Sequence, residues 1–363
     1  MLLGSGGKMF LDYYKNKRVF ITGHTGFKGS WLTQILLNQG AQICGYSLKA
    51  DEQSLFNKLG LEYRIEHHEG DIRDYKNLEQ VFNKFEPEYV FHLAAQPLVL
   101  ESYKDPVYTY ETNVMGTVNL LDVVRKSKSV ISVINVTTDK VYRNNDASIA
   151  FKEDDQLSGF DPYSNSKSCS ELVSESYFNS FLASKNIPLS TMRAGNVIGG
   201  GDYAENRIIP DCVRSSVKGE SILIRNPKSV RPFQHVLEPL FAYLFVAYKQ
   251  ANDYSKASSY NIGPELSDCV ETSVLVDHFC KYWDGATWHT QVQQNALHEA
   301  KLLMLDCTKI KQTFNWRPLL NVEEAVRLTV ELSQAFADDH NYKYVLFKQI
   351  EDYAESFEQE IVR

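Results

Sequence analysis

The chain has 363 residues, of which 43% are hydrophobic and 23% charged, and its formal net charge at pH 7 is −8. This length and composition fit one large globular domain, or one large and one small, and exclude a disordered chain. The acidic balance argues against a surface for nucleic acid or anionic membranes, and no apolar run reaches the ~20 residues of a membrane span. Neither the six cysteines nor the nine histidines show metal-ligand spacing. We therefore expect reduced thiols in a cytoplasmic protein that binds no metal, nucleic acid or membrane.

Short apolar runs and helical patterns alternate along the first half of the chain. Six runs predict strands, at 18–22, 42–47, 65–70, 89–94, 130–137 and 189–194. Because each parallel connection needs a crossover, the alternation predicts an α/β fold with a doubly wound parallel sheet. Beyond about Asn196, glycines and prolines interrupt the alternation and favour a smaller C-terminal lobe. The last stretch, from about 322 to 363, has amphipathic helical periodicity.

A glycine-rich turn lies between the first predicted strand and the first predicted helix. It has the form Gly-x-x-Gly-x-x-Gly and reads Gly23-His24-Thr25-Gly26-Phe27-Lys28-Gly29. Glycines let the backbone approach a pyrophosphate, and a helix N-terminus offers it free N–H groups. The residues that we expect to bind a dinucleotide here are Gly23, Thr25, Gly26, Phe27 and Gly29.

Three further strand ends are candidates for the same ligand. Asp71 and Ile72 follow the third strand and are placed to face an adenine ring, and Ala94 and Ala95 follow the fourth. The second strand ends at Ser47, where NAD-binding folds place an acid that holds the ribose 2′-hydroxyl. On these residues alone, NAD and NADP both stay open.

Candidate catalytic groups occur in two places. Tyr163 and Lys167 are four residues apart on a predicted helix, and Thr138-Asp139-Lys140 follows the fifth strand. An ammonium beside the phenol favours the phenolate, which matters because an unperturbed tyrosine titrates near ~10. A Tyr-x-x-x-Lys spacing alone is weak evidence, but together with the glycine turn and the triplet it predicts an enzyme.

These motifs resemble the extended short-chain dehydrogenase/reductase family, whose nucleotide-sugar branch includes epimerases and dehydratases, over residues 17 to about 335. Within that branch, longer stretches are similar to the CDP-glucose 4,6-dehydratases, namely 23–31, 138–140, 193–202 and 231–239. Leu100 and Val141 depart from that pattern, where Arg and Cys are usual. The resemblance implies a Rossmann fold, NAD that is recycled within each turnover, and CDP-glucose as substrate.

The same resemblance implies a domain division and an assembly. We expect a dinucleotide-binding domain of residues 9–195 with a returning segment near 236–264. Residues 196–235 and 265–350 would form the nucleotide-sugar lobe. A homodimer is expected through helices that start near Ser102 and Tyr163.

The resemblance also assigns roles to the candidate catalytic residues. Tyr163, as phenolate, takes the proton of the sugar 4-hydroxyl, while Lys167 lowers the phenol pKa and holds the nicotinamide ribose. Thr138 bonds the same sugar oxygen. Lys140 removes the proton on carbon 5, which requires that burial and a nearby cation keep it neutral, and protonated Asp139 donates to the departing 6-hydroxyl.

At the substrate end, Arg207 and Arg231 are the candidate phosphate clamps, because a guanidinium pairs bidentately with phosphate oxygens. Neutral or weaker contacts to the substrate are expected from Gln96, Asn196, Asn261 and His298. His92 is expected to pack under the sheet.

Three alternatives stay open. A nucleotide-sugar 4-epimerase would share the fold and Tyr163/Lys167 but needs no Asp139/Lys140. A 4,6-dehydratase for another nucleoside diphosphate hexose fits as well, since only the resemblance points to cytosine. A non-catalytic dinucleotide-binding regulator is the most distant alternative.

Overall fold

A seven-stranded parallel sheet forms the centre of the computed structural model, which describes residues 10–144, 150–290 and 303–362. Its strands are β1 (Arg18–Thr22), β2 (Gln42–Ser47), β3 (Glu66–Glu69), β4 (Tyr89–His92), β5 (Ser132–Thr138), β6 (Leu189–Ala194) and β11 (Ser259–Ile262). All six pairings are parallel, in the order β11-β6-β5-β4-β1-β2-β3. The chain runs outward from β1 in both directions, so the sheet is doubly wound. Its topological switch point lies between β1 and β4, where such sheets bind ligands.

The six strands predicted from the sequence are confirmed, with small shifts at their ends. β4 ends at His92 rather than residue 94, and the Leu93 amide makes one further bond to β1, at the Thr22 carbonyl 3.1 Å away. The seventh strand, β11, has four residues and pairs with β6. More than sixty residues of other elements separate it from β6 in the chain.

Six short strands form three pairs outside the main sheet. They are β7 (Val197–Ile198) with β10 (Gln234–His235), β8 (Ile222–Ile224) with β13 (Trp288–Thr290), and β9 (Val230–Arg231) with β12 (Val270–Glu271). All come from the region where the sequence loses its alternation.

Helices flank the sheet and fill the C-terminal half. They are α1 (Phe27–Asn38), α2 (Leu55–Leu59), α3 (Tyr75–Phe85), α4 (Val99–Lys104), α5 (Pro106–Tyr110), α6 (Gly116–Lys126), α7 (Pro162–Tyr177), α8 (Ile208–Val217), α9 (Leu237–Asn252), α10 (Thr272–Tyr282), α11 (Thr308–Phe314), α12 (Val322–Ala337) and α13 (Tyr342–Val362). The predicted C-terminal helix is therefore two helices. Within the described ranges, no helix has both the length and the hydropathy that a membrane crossing needs.

Three apolar cores hold these layers together. On one face of the sheet, α1, α9 and α13 pack in the largest core, and α9 is apolar nearly all round because it is enclosed. On the other face, α3 and α6 cover the strands. A third core joins α8, α10 and α12 with β8 and lies apart from the sheet. Arg207, which precedes α8, is nevertheless close enough for its charge to act on Tyr163 of α7 and Lys28 of α1.

Candidate active site

The glycine turn between β1 and α1 has the backbone geometry that a pyrophosphate site requires. Gly23 has a φ of +75°, and a Cβ there would lie 2.7 Å from the Ala94 nitrogen. A Cβ on Gly29 would lie 2.2 Å from the Gly23 oxygen. Gly26 precedes α1 without a side-chain cap, so the first N–H groups of the helix remain available to an anion.

The other predicted dinucleotide contacts lie at the same edge of the sheet. The Ser47 hydroxyl is 2.8 Å from the Thr25 hydroxyl, which joins the end of β2 to the turn. Arg73 bonds the Asp71 carboxylate and lowers its pKa, so this acid is charged. Ile72 is buried, and Ala94 and Ala95 are half-buried beside the turn.

Tyr163 and Lys167 lie on the first turns of α7, which Asp161 caps and Pro162 starts. Both side chains are buried. The Lys167 ammonium donates to the Val136 carbonyl of β5 at 3.2 Å. Burial lowers the pKa of Lys167 to about 8. The negative charge of Glu171, one turn further along α7, offsets part of this fall.

The groups with the strongest influence on the Tyr163 phenol in this structure lie in the triplet. Burial raises the pKa of Tyr163, and the groups that oppose the rise are first Lys140 and then a hydrogen bond with Thr138. The amine of Lys167 is turned to the backbone of β5 instead. Lys140 is thus a cation that favours the phenolate in this structure, and the role expected of Lys167 at the phenol stays a prediction.

The triplet forms a tight polar unit at the end of β5. Thr138 donates to Oδ1 of Asp139 at 3.0 Å, and Nζ of Lys140 lies 3.3 Å from the same oxygen. Asp139 is fully buried, and its Oδ2 has no hydrogen-bond partner among the described residues. The Lys140 side chain is 32% exposed, so it is less desolvated than the sequence led us to expect.

Lys28 is a site residue that the sequence reasoning missed. It lies on the first turn of α1, and burial together with Arg207, Lys167 and Lys140 lowers its pKa to about 7. It makes no hydrogen bond or ion pair with any described residue. A positive charge is unfavourable at a helix N-terminus unless an anion is bound there. The position of Lys28 in the first turn of α1 is therefore the sequence signal that could have identified it as a site residue.

The predicted phosphate clamps differ in their surroundings. Arg207 precedes α8 and bonds Asp202 at 3.0 Å, and its charge reaches Tyr163 and Lys28. Arg231 is buried on β9 and donates to the Val230 carbonyl at 2.9 Å.

Of the three candidate substrate amides, Gln96, Asn196 and Asn261, Asn196 alone keeps an acceptor without a partner among the described residues. Its Oδ1 is buried without a hydrogen-bond partner. Asn261 is enclosed instead: it accepts from the Tyr142 hydroxyl at 2.6 Å and donates to the Phe151 carbonyl at 2.8 Å. The Gln96 amide is bonded to Leu98 and Thr109.

In this structure the side-chain amides of Asn261 and Gln96 are bonded within the protein, and the substrate contacts expected of them stay predictions. Both amides support loops beside the pocket, because their hydrogen-bonding groups are used within the protein. His298 lies outside the described residues.

A buried polar network, which sequence reasoning also missed, connects the turn to the catalytic helix. His92 packs under the sheet as expected, between the hydroxyls of Thr22 at 2.7 Å and Thr117 at 3.2 Å. Thr117 in turn contacts Ser170 on α7 at 2.9 Å. Burial lowers the pKa of His92 to about 3, so it is a neutral structural link.

The chain is similar to several known proteins. The family model described as GDP-mannose 4,6 dehydratase matches residues 20–329. The CDP-glucose 4,6-dehydratase of Salmonella typhimurium is 43% identical over 350 residues, which is 94% of this chain and 97% of that protein. The dTDP-glucose 4,6-dehydratase of Haemophilus influenzae is 26% identical and covers 86% of this chain and 96% of its own length.

Solved structures show the same fold at lower identity. The UDP-glucose 4-epimerase of Thermus thermophilus, in complex with NAD, superposes with a TM-score of 0.76 at 23% identity, covering 87% of this chain and 99% of that one. The dTDP-glucose 4,6-dehydratase of Bacillus anthracis, also with NAD, gives 0.71 at 21% identity, covering 90% and 97%. The fold is thus that of the extended short-chain dehydrogenases/reductases. Within it, the chain belongs to the GDP-mannose 4,6-dehydratase family of nucleotide-sugar enzymes.

Proposed function

We propose that the protein converts CDP-D-glucose to CDP-4-keto-6-deoxy-D-glucose, with NAD reduced and reoxidised in each turnover. One observation carries the proposal: Tyr163 and Lys167 share a pocket with an acid/base pair, Asp139 and Lys140, that an epimerase does not need. The choice of cytosine is supported by the 43% identical CDP-glucose 4,6-dehydratase.

The residues present fit a dinucleotide. The uncapped N–H groups of α1 suit a pyrophosphate, and close backbone approach is secured by Gly23 and Gly29. NAD, when bound, supplies the acceptor and later the donor of a hydride. Ser47, Asp71, Ile72, Ala94 and Ala95 are proposed to line the rest of its groove.

Tyr163 is proposed to take the proton of the sugar 4-hydroxyl. Since burial disfavours the phenolate, a hydrogen bond from Thr138 and the charge of Lys167 are proposed to stabilise it, and Lys140 adds to this only while it keeps its proton. Lys167 holds the pocket wall through Val136 and offers its remaining N–H groups to the nicotinamide ribose.

Lys140 and Asp139 are proposed to exchange one proton before water is lost. Transfer from Nζ to the carboxylate 3.3 Å away turns the ion pair into a neutral amine and a neutral acid. When a sugar excludes water, the neutral pair becomes the more favourable form because burying charge is costly. The amine then removes the proton on carbon 5, and the acid protonates the departing 6-hydroxyl.

Arg207, Arg231 and Asn196 are proposed to hold the sugar nucleotide. They come from the part of the chain that forms the third core, so we propose residues 196–235 and 265–350 as the substrate lobe. Residues 9–195 and 236–264 are then the dinucleotide-binding domain.

A panel of CDP-, dTDP-, GDP- and UDP-sugars tests the proposed function, with product masses and nicotinamide absorbance as readouts. We expect CDP-glucose to react best, with loss of one water and no net NADH. Turnover without loss of water would favour an epimerase. If another nucleoside diphosphate hexose is dehydrated faster than CDP-glucose, the enzyme is a 4,6-dehydratase for a different nucleobase. NAD binding without turnover of any sugar would point to a non-catalytic regulator.

We also propose a homodimer in the cytoplasm. Large apolar side chains on and beside α4 to α7 are exposed, namely Tyr103, Val107, Met115, Phe160 and Leu172. An exposed apolar patch of this kind favours an isologous interface. Light scattering should show a dimer for the wild type and a monomer for Leu172→Asp. Tyr344→Asp, at an exposed site on α13, is the matched control and should stay dimeric.

A further inference from the structure

Three metal-ligating side chains meet at the open edge of the main sheet, apart from the catalytic groups. Cys44 on β2 and Glu66 and His68 on β3 bring a sulfur, a carboxylate oxygen and an imidazole nitrogen within 4.8 Å of one another. The register explains this, because Cys44 pairs with Glu66 across the two strands. Residues two apart in a strand share a face, which adds His68 to the same side.

We propose that Cys44, Glu66 and His68 form a zinc site that ties the edge strand β3 to β2. Zinc accepts all three ligand types, at bond lengths of roughly 2.0–2.3 Å, and leaves a fourth tetrahedral position for water. Two ligands of one such ion lie roughly 3.5 Å apart. Nε2 of His68 and Oε1 of Glu66 are 2.9 Å apart, so rotations of these side chains are enough to admit the ion.

Burial and charge both suit a divalent ion here. Cys44 is fully buried, whereas the Glu66 and His68 side chains are 39% and 30% exposed, which gives the ion a path from solvent. A thiolate and a carboxylate together neutralise Zn²⁺. Lys84, 4.0 Å from Glu66, is mostly exposed and turns into solvent at little cost.

Binding must displace a proton from the thiol. The thiolate is the metal-binding form, and zinc therefore competes with a proton at this sulfur.

The site would stabilise a part of the sheet that is otherwise paired on one side only. β3 is an edge strand, and it leads directly to Asp71 at the rim of the dinucleotide groove. β2 already contacts this rim through the Tyr46 hydroxyl, which donates to the Asp71 carbonyl at 3.1 Å. A metal between β2 and β3 adds a second link.

Cobalt(II) serves as the spectroscopic probe, because its thiolate complexes show a charge-transfer absorption. After chelator treatment, we expect the full chain to bind one Co²⁺ with this band, to release a proton, and to lose the band when Zn²⁺ is added. Cys44→Ser should abolish the band, and His68→Asn should weaken Co²⁺ binding by about tenfold or more. Cys280→Ser and His278→Asn, both on α10, are matched controls and should bind as the wild type does.

Two results would overturn the proposal: Co²⁺ binding without the charge-transfer band, or a band that survives in Cys44→Ser. Should Cys44→Ser fail to fold, Glu66→Gln at a more exposed position gives the deciding comparison. Zn²⁺ should raise the Tm of the wild type but not of Glu66→Gln, and equal shifts in both would also contradict the site.

Discussion

The two lysines beside the phenol differ in how the fold holds them. Lys167 is 5% exposed, lies on a helix and donates to the backbone of β5. Lys140 lies on a single helical turn, its side chain is 32% exposed, and its contact is the Asp139 carboxylate. The helix thus fixes one amine, while the turn leaves the other free to change its partner and its protonation.

This difference matches the two halves of the proposed reaction. Oxidation at carbon 4 needs groups in fixed positions, which α7 and β5 provide. Loss of water needs a base that appears only when substrate is bound, and the Asp139–Lys140 pair can provide one by internal proton transfer. The following variants test that division, from the largest expected effect to the smallest.

Tyr163→Phe should remove the base for the first step. We expect turnover to fall by about 10⁴-fold, the upper end for a positioned acid/base group. Because the defect precedes hydride transfer, no enzyme-bound NADH should form on mixing with CDP-glucose, as followed by stopped-flow absorbance. Substantial NADH in this variant would show that another group takes the 4-hydroxyl proton.

Lys140→Met should lower overall turnover by about 10²- to 10⁴-fold, because the base for carbon 5 is lost. Product mass and solvent deuterium at carbon 5 measure it. Lys185→Met, at an exposed lysine away from the pocket, controls for the loss of a positive charge and should match the wild type.

Asp139→Asn should slow dehydration by about 100-fold, since an amide cannot accept the proton of Lys140. The amide also cannot protonate the departing 6-hydroxyl, so bound NADH should accumulate on mixing with CDP-glucose. Turnover at the wild-type rate without accumulated NADH would mean that Asp139 takes part in neither proton transfer.

Lys167→Met should change the pH dependence of stability. The folded pKa of Lys167, about 8, lies below the unfolded value, so its burial penalty is complete below pH 8 and declines as the pH rises. Wild type should gain about 2 kcal/mol of unfolding free energy relative to Lys167→Met between pH 7 and 9.5. Urea denaturation at several pH values measures the difference, and parallel pH profiles for the two proteins would contradict it.

Much of the fold could be predicted because the segments whose local sequence favours a strand or a helix are also the ones that the core buries. β2 and β6 are largely buried strands, and their bounds match the sequence prediction. The glycine turn could also be predicted from a short stretch of sequence. A side chain at Gly29 would clash within the turn, and one at Gly23 would clash with the backbone of Ala94.

Contacts between distant segments could not be predicted. Helical spacing places Lys167 on the same face of α7 as Tyr163. Its ammonium, however, donates to the Val136 carbonyl of β5, a contact that the spacing does not reveal. Asn261 has the chemistry of a substrate ligand and is instead bonded to Tyr142 across the fold. In the same way, Cys44 lies next to Glu66 and His68 because of the register between β2 and β3. The three residues are not at a metal-ligand spacing in the sequence, so a search for such spacing missed them.

A single-turnover experiment on Lys140→Met tests the division between the two lysines most directly. The variant, loaded with NAD, is mixed with CDP-glucose in deuterium oxide, and reduced nicotinamide and deuterium at carbon 5 are followed together. We predict that bound NADH forms and persists, with no deuterium at carbon 5 and no loss of water. Dehydration at the wild-type rate, or failure to form NADH, would contradict the assignment of Lys140 to the second half of the reaction.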